Sequence, residues 1–157
     1  MALKSIMVVG IGNYILQDEG VGVHVINRLM EMNLPPQVSL VDGGTHSYDL
    51  VDFFCQADTV IVVDALKAGG EPGTLYRAPL EELGLKPDDN YTSLHQMHFI
   101  EAVQMVNLLG YHPQIIVFGV EPKVIDWGME LTPEVAARVP RLAELIKDEI
   151  QNVIASN

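Results

Sequence analysis

Residues 6–22 read IMVVGIGNYILQDEGVG, and this stretch decides the fold class. Ile6–Val9 is a short apolar run of the length and residue type of a buried strand. The turn Gly10-Ile11-Gly12 follows, and a pattern of helical period begins near Gly20. Two acids, Asp18 and Glu19, stand between turn and helix. Open α/β sheets bind ligands beyond the carboxyl ends of their strands. A first strand that delivers a carboxylate pair to that edge therefore suggests a site.

Outward from this unit the alternation continues. Val21, Val25, Ile26, Leu29 and Met30 are spaced as one face of a helix, with Leu34-Pro35-Pro36 beyond it. Val38–Val41 is a second short strand, closed by Asp42-Gly43-Gly44-Thr45. Leu50, Val51, Phe54 and Cys55 mark a second helix, and Thr59–Asp64 is a β-branched run apolar on both faces, as a central parallel strand is. Thr74–Arg77, stopped by Pro79, reads as an edge strand, and residues 80–92 as an irregular excursion. A helix over Leu94–Leu109 capped by Gly110, a strand over Gln114–Val120, and a closing helix complete the chain. That last helix starts with Thr132 as N-cap and Pro133 in its first turn, and Pro140 is expected to kink or split it. The pattern predicts one α/β domain over residues 1–157, a mostly parallel sheet with helices on both faces.

Composition narrows the function. An apolar content of 48% excludes a disordered chain. No apolar run approaches the ~18 residues of a membrane span, and residues 1–5 carry no signal-peptide pattern. The single cysteine, Cys55, fits a reducing cytoplasm and lies in a helical apolar stripe, so it reads as a small core residue rather than a nucleophile. A net charge of −12 disfavours nucleic acid and anionic lipid, which such a surface repels. A cationic or metal-bearing partner is compatible with it.

Gly10-x-Gly12 after a strand invites a dinucleotide reading, but position 15 is Ile15 where the third glycine belongs. Asp18 and Glu19 would also repel a pyrophosphate. Glu19 after the first strand, Asp64 at the end of the central strand and His95 at the start of a helix are better candidates. In a parallel sheet such positions share one edge, and two carboxylates with an imidazole suit a divalent transition metal. Each has a plainer reading: Asp18 and Glu19 as macrodipole acids, Asp64 as a turn acid, His95 as a surface residue. His98, three residues beyond His95, reads as part of a solvated face; His24 as a partly buried, hydrogen-bonded residue; His46 and His112 as loop residues. The chain has no Gly-x-Ser-x-Gly elbow.

Five short motifs in order carry a resemblance: Gly10-Ile11-Gly12-Asn13 with Leu16-x-Asp18-Glu19-Gly20-x-Gly22, Asp42-Gly43-Gly44-Thr45, Val63-Asp64-Ala65, Ser93-x-His95-Gln96 and Gly119-x-Glu121-Pro122. The chain resembles the hydrogenase maturation proteases, endopeptidases that finish the large subunit of nickel–iron hydrogenases. The resemblance implies a three-layer α/β/α sandwich on a five-stranded mixed sheet with one antiparallel strand, for which Thr74–Arg77 is the candidate. It implies that Glu19, Asp64 and His95 contact a metal, the nickel of the substrate itself, and that Asp42 takes part with Asp64 in cleavage or substrate handling. The implied partner is the large-subunit precursor, shortened at its C-terminus by a free monomeric enzyme grouped with the aspartic proteases. A non-catalytic chaperone that checks for nickel, and a nucleotide-binding module, remain as alternatives.

Overall fold

Ile6–Gly10 forms β1, every residue of it buried, because both faces of the strand are covered. The structure, a computed structural model, describes residues 4–44, 50–83 and 94–156, and for 94–98 the backbone alone. Its sheet has the order β2-β1-β3-β5-β4, with β2 at Val38–Asp42, β3 at Thr59–Ala65, β4 at Leu75–Pro79 and β5 at Gln114–Val120. β1 pairs in parallel with β2 and β3, and β3 with β5; β4 runs antiparallel to β5. The expected odd strand is therefore the observed one. Pro79 lies inside this strand, at its last position, which an edge tolerates.

Alternation sorts the side chains of β1 between two cores. Ile6 and Val8 face α1 (Val21–Met30) and α5 (Val139–Ala155), meeting Val25, Ile26, Leu29, Ile146 and Ile150. Met7 and Val9 face the other side, where α2 (Leu50–Cys55) and α3 (Leu94–Leu108) supply Leu50, Phe54, Phe99 and Val106. Helices thus cover both faces. Among the described residues no helix is long and apolar enough to cross a membrane.

Three helix ends refine the sequence reading. Gly110 has φ +94° and its N–H donates to the Asn107 carbonyl, so it does end α3. The closing helix is split, with a short α4 at Pro133–Ala136 and Pro140 in the first turn of α5. Thr132 is the N-cap residue of α4, as expected, but its side chain makes no capping hydrogen bond; its hydroxyl donates instead to Asp18 Oδ2 at 2.8 Å.

The strand order reverses between β1 and β3, which makes their carboxyl ends the switch point of the sheet. Two glycines set the geometry there. A Cβ on Gly22 would lie 2.5 Å from the Val63 carbonyl oxygen and 2.6 Å from that of Ile11, and one on Gly10 would strike the Gly22 carbonyl. Helix α1 therefore rests on β1 backbone against backbone. Gly22→Ala should lose about 3 kcal/mol, because rigid backbone rather than a pliable side chain must move. Urea unfolding measures it, and a loss within experimental error would refute this packing.

Candidate functional site

β1, β2 and β3 end side by side, with Gly10 opposite Asp42 on one flank and Val63 on the other. The chain leaves β1 through Ile11, whose N–H donates to the Val63 carbonyl at 2.8 Å, and turns at Gly12 with φ +114°. Gly12 is the hub of the site. A Cβ there would collide with the Glu19 carbonyl oxygen and stand 3.4 Å from Asp64 Oδ1. On its other side a Cβ at Gly44 would strike the Gly12 carbonyl and lie 3.3 Å from Asp42 Oδ1. The backbone of Glu19, the carboxylate of Asp64 and, through Gly44, the carboxylate of Asp42 thus border this one turn.

They are held differently. Asp64 is 4% exposed and its Oδ1 accepts the Ala65 N–H at 2.8 Å, which fixes the carboxylate at the end of β3. Glu19 is 9% exposed, in the 3-10 turn Gln17–Gly20 that precedes α1. Asp42 is half-buried at the last position of β2, and the Gly43 N–H donates to the Gly10 carbonyl at 2.7 Å. His95 belongs to the first turn of α3; its side chain, like that of His98, lies outside the described residues, as does His46. Among the described residues no three His, Cys, Asp or Glu side chains form a metal-binding cluster.

Asp18 departs from the expected acid pair. It is wholly buried, and its Oδ2 accepts the N–H groups of Lys123 at 2.8 Å and Val124 at 3.0 Å and the Thr132 hydroxyl. Oδ1 accepts the Thr132 N–H at 2.8 Å. Burial alone would raise its pKa. The hydrogen bonds from Val124, Thr132 and Lys123 outweigh that and hold it below the ordinary carboxylate range. Gln17, in the left-handed region at φ +47°, turns the chain so that Asp18 points inward. Adjacent acids therefore have opposite work: Asp18 ties residues 123–132 to the turn that presents Glu19.

Glu121 ties the opposite flank. Its Oε1 accepts the Ala68 N–H at 2.9 Å, the Gly70 N–H at 3.0 Å and the Tyr76 hydroxyl at 2.7 Å, fastening the loop between β3 and β4. Burial opposes its ionisation, but the Tyr76 hydroxyl and these amides lower its pKa overall, while the same bond raises that of Tyr76. An acid directly after an apolar strand was the only local signal for this latch. His24 is half-buried and stacks on Tyr14 with ring centroids 4.9 Å apart; burial lowers its pKa. As expected it is hydrogen-bonded, with the Met129 backbone, while its Nε2 has no hydrogen-bond partner among the described residues.

Comparison with known proteins decides the family, because the profile of the hydrogenase maturation proteases matches residues 23–149. The chain belongs to the hydrogenase maturation protease family. It is 35% identical over 149 residues to the hydrogenase expression/formation protein HupD of Rhodobacter capsulatus, covering 92% of this chain and 71% of that one. The hydrogenase maturating endopeptidase HybD from E. coli superimposes with a TM-score of 0.86 at 28% identity, covering 95% of this chain and 93% of that one. The [NiFe] hydrogenase maturation protease HybD from Thermococcus kodakarensis gives 0.77 at 25% identity, covering 93% and 99%. Membership of this family makes protease activity the context in which the Gly12 turn is read.

Cys55 is half-buried and packs against the core on the α2–α3 side. In this maturation protease Cys55→Ala should cost about 1 kcal/mol of packing and leave peptide cleavage intact. A folded Cys55→Ala protein without cleavage would establish a thiol mechanism instead.

Proposed function

We propose that this chain removes the C-terminal extension of the nickel–iron hydrogenase large-subunit precursor after nickel insertion. What supports this reading is that the turn carrying Glu19, Asp42 at the end of β2 and Asp64 near the end of β3 border Gly12 and Gly44 at the switch point of the sheet. Glu19 and Asp64, with His95, supply two oxygen donors and one nitrogen donor to the nickel that the precursor carries, which is part of the substrate. So small a set leaves the remaining coordination to the precursor's own ligands.

Cleavage adds water across the scissile peptide bond. The water oxygen bonds to the carbonyl carbon, the C–N bond breaks, and the proton taken from water leaves with the amine. Asp42 and Asp64 carry that proton, an aspartic-type use of the site. The enzyme acts in the cytoplasm and as a monomer when free, and its substrate is a protein rather than a nucleic acid or a membrane.

The test is incubation of the purified protein with nickel-loaded precursor, read by mass spectrometry. Loss of a C-terminal peptide, dependent on nickel in the precursor, is the expected result. Stable binding without a mass change would replace the protease with a nickel-checking chaperone. Tight, stoichiometric zinc in the protein as purified, needed for activity, would make it an ordinary metalloprotease.

A further inference from the structure

We propose that Ile15, Trp127 and Met129, extended by Val124 and Ile125, form the docking surface that receives the folded large-subunit precursor. The inference rests on the reading of the Gly12 site as a precursor protease. Trp127 is 76% exposed and Met129 57%; Ile15, Val124 and Ile125 are also exposed. Neither Trp127 nor Met129 belongs to either core. Five large apolar side chains that fold nothing have a use outside the fold.

They are gathered by backbone pairing. The Gly128 N–H donates to the Ile15 carbonyl at 3.0 Å and the Gln17 N–H to the Gly128 carbonyl at 2.9 Å, so Ile15 lies beside the stretch Trp127–Met129. The Asp18 N–H donates to the Val124 carbonyl at 3.2 Å, and its carboxylate holds the same segment from beneath. The surface is consequently built before any partner arrives, which lowers the entropic cost of docking.

Three features choose the occupant. The surface is anchored to the site, since Asp18 ties residues 123 and 124 to the Gln17–Gly20 turn that carries Glu19. A protein that brings its own metal to Glu19 must lay neighbouring surface here. The patch comprises five apolar side chains, where a standard stable interface uses roughly 20–30 residues a side, which fits a substrate that must leave rather than a permanent second copy. The charge is the third. Exposed Asp126 and Glu130 edge the patch at Trp127 and Met129, Lys123 is paired with Glu134 at 2.9 Å, and Lys67 stands at the Ile125 end. The precursor face that docks is therefore apolar with a basic rim.

Trp127 is the single tryptophan of the chain, so 5-fluorotryptophan labelling gives one fluorine resonance. Addition of nickel-loaded precursor should shift or broaden it. Trp127→Ala and Met129→Glu should raise KM for the precursor roughly tenfold or more while kcat at saturation stays within about twofold. Leu108→Glu, an equally exposed apolar position at the far end of α3, should leave KM unchanged. An unmoved resonance, or unchanged KM in both patch variants with the wild type cleaving, overturns the docking surface and leaves the protease standing. A resonance that shifts with concentration of this protein alone assigns the patch to self-association and also overturns it. A wild type that neither binds nor cleaves precursor removes both.

Discussion

Asp64→Asn should lower precursor cleavage at least about a hundredfold while the protein stays folded. The asparagine oxygen can still accept the Ala65 N–H that Asp64 Oδ1 now accepts, so the local backbone keeps its partner. What disappears is the negative charge, and with it both the attraction for the precursor's nickel and the capacity to take a proton. Glu19→Gln should separate these roles: it removes a charge from the same hub but no candidate base, so nickel-dependent binding of the precursor suffers first. His95→Ala should abolish processing too. Cleavage rates, precursor affinity and thermal unfolding of the three variants check the expectation. A fully active Asp64→Asn enzyme would take the central strand out of the mechanism altogether.

The second large effect is structural. Asp18→Asn should cost about 3 kcal/mol, because an amide cannot replace a carboxylate that accepts on both oxygens. If the amide oxygen serves Lys123, Val124 and the Thr132 hydroxyl, the NH2 group faces the Thr132 N–H, donor against donor. The same residue sets an acid limit. Its pKa is lower folded than unfolded, so its contribution is complete above the unfolded value and is lost as pH falls below about 4 toward the folded one. Denaturant titrations from pH 7 to pH 3 should show a steep acid loss in the wild type and a flatter one in Asp18→Asn. Parallel curves would mean that Asp18 is not the group that titrates.

Much of this was readable without coordinates because it follows from local chemistry. The β-branched run before Asp64 has one sensible fate, a buried parallel strand, and Pro79 limits its strand to an edge. The order of strands then puts Glu19 and Asp64 at one end, whatever the loops do, with Asp42, implied by the resemblance, beside them; the side chain of His95 lies outside the described residues. The division of labour between Asp18 and Glu19 was not readable. Burial of Asp18 depends on donors at Lys123, Val124 and Thr132, more than a hundred residues away, and no spacing rule reaches that far. Thr132 was legible as the N-cap position but not in the use of its hydroxyl, since a capping hydroxyl and a tertiary donor are identical in sequence. The apolar residues of 124–129 were also silent, since a short irregular stretch has no period to reveal a surface.

The glycine contacts at the start of the chain have a mechanical consequence. A joint between two elements is usually cushioned by side chains, whose rotamers yield under load. At Gly10–Gly22 and at Gly12–Glu19 no cushion exists, because carbonyl meets Cα directly. The short arch between these two seats, residues 13–21, has Glu19 within it and Asp18 nailed beneath it. Such an arch has low compliance. It cannot spread to accommodate an ion of another radius or a centre presented at another angle. On the proposed function, the adjustment needed to bring metal and scissile bond into line falls to the precursor, and the metal is inspected by a gauge that does not bend.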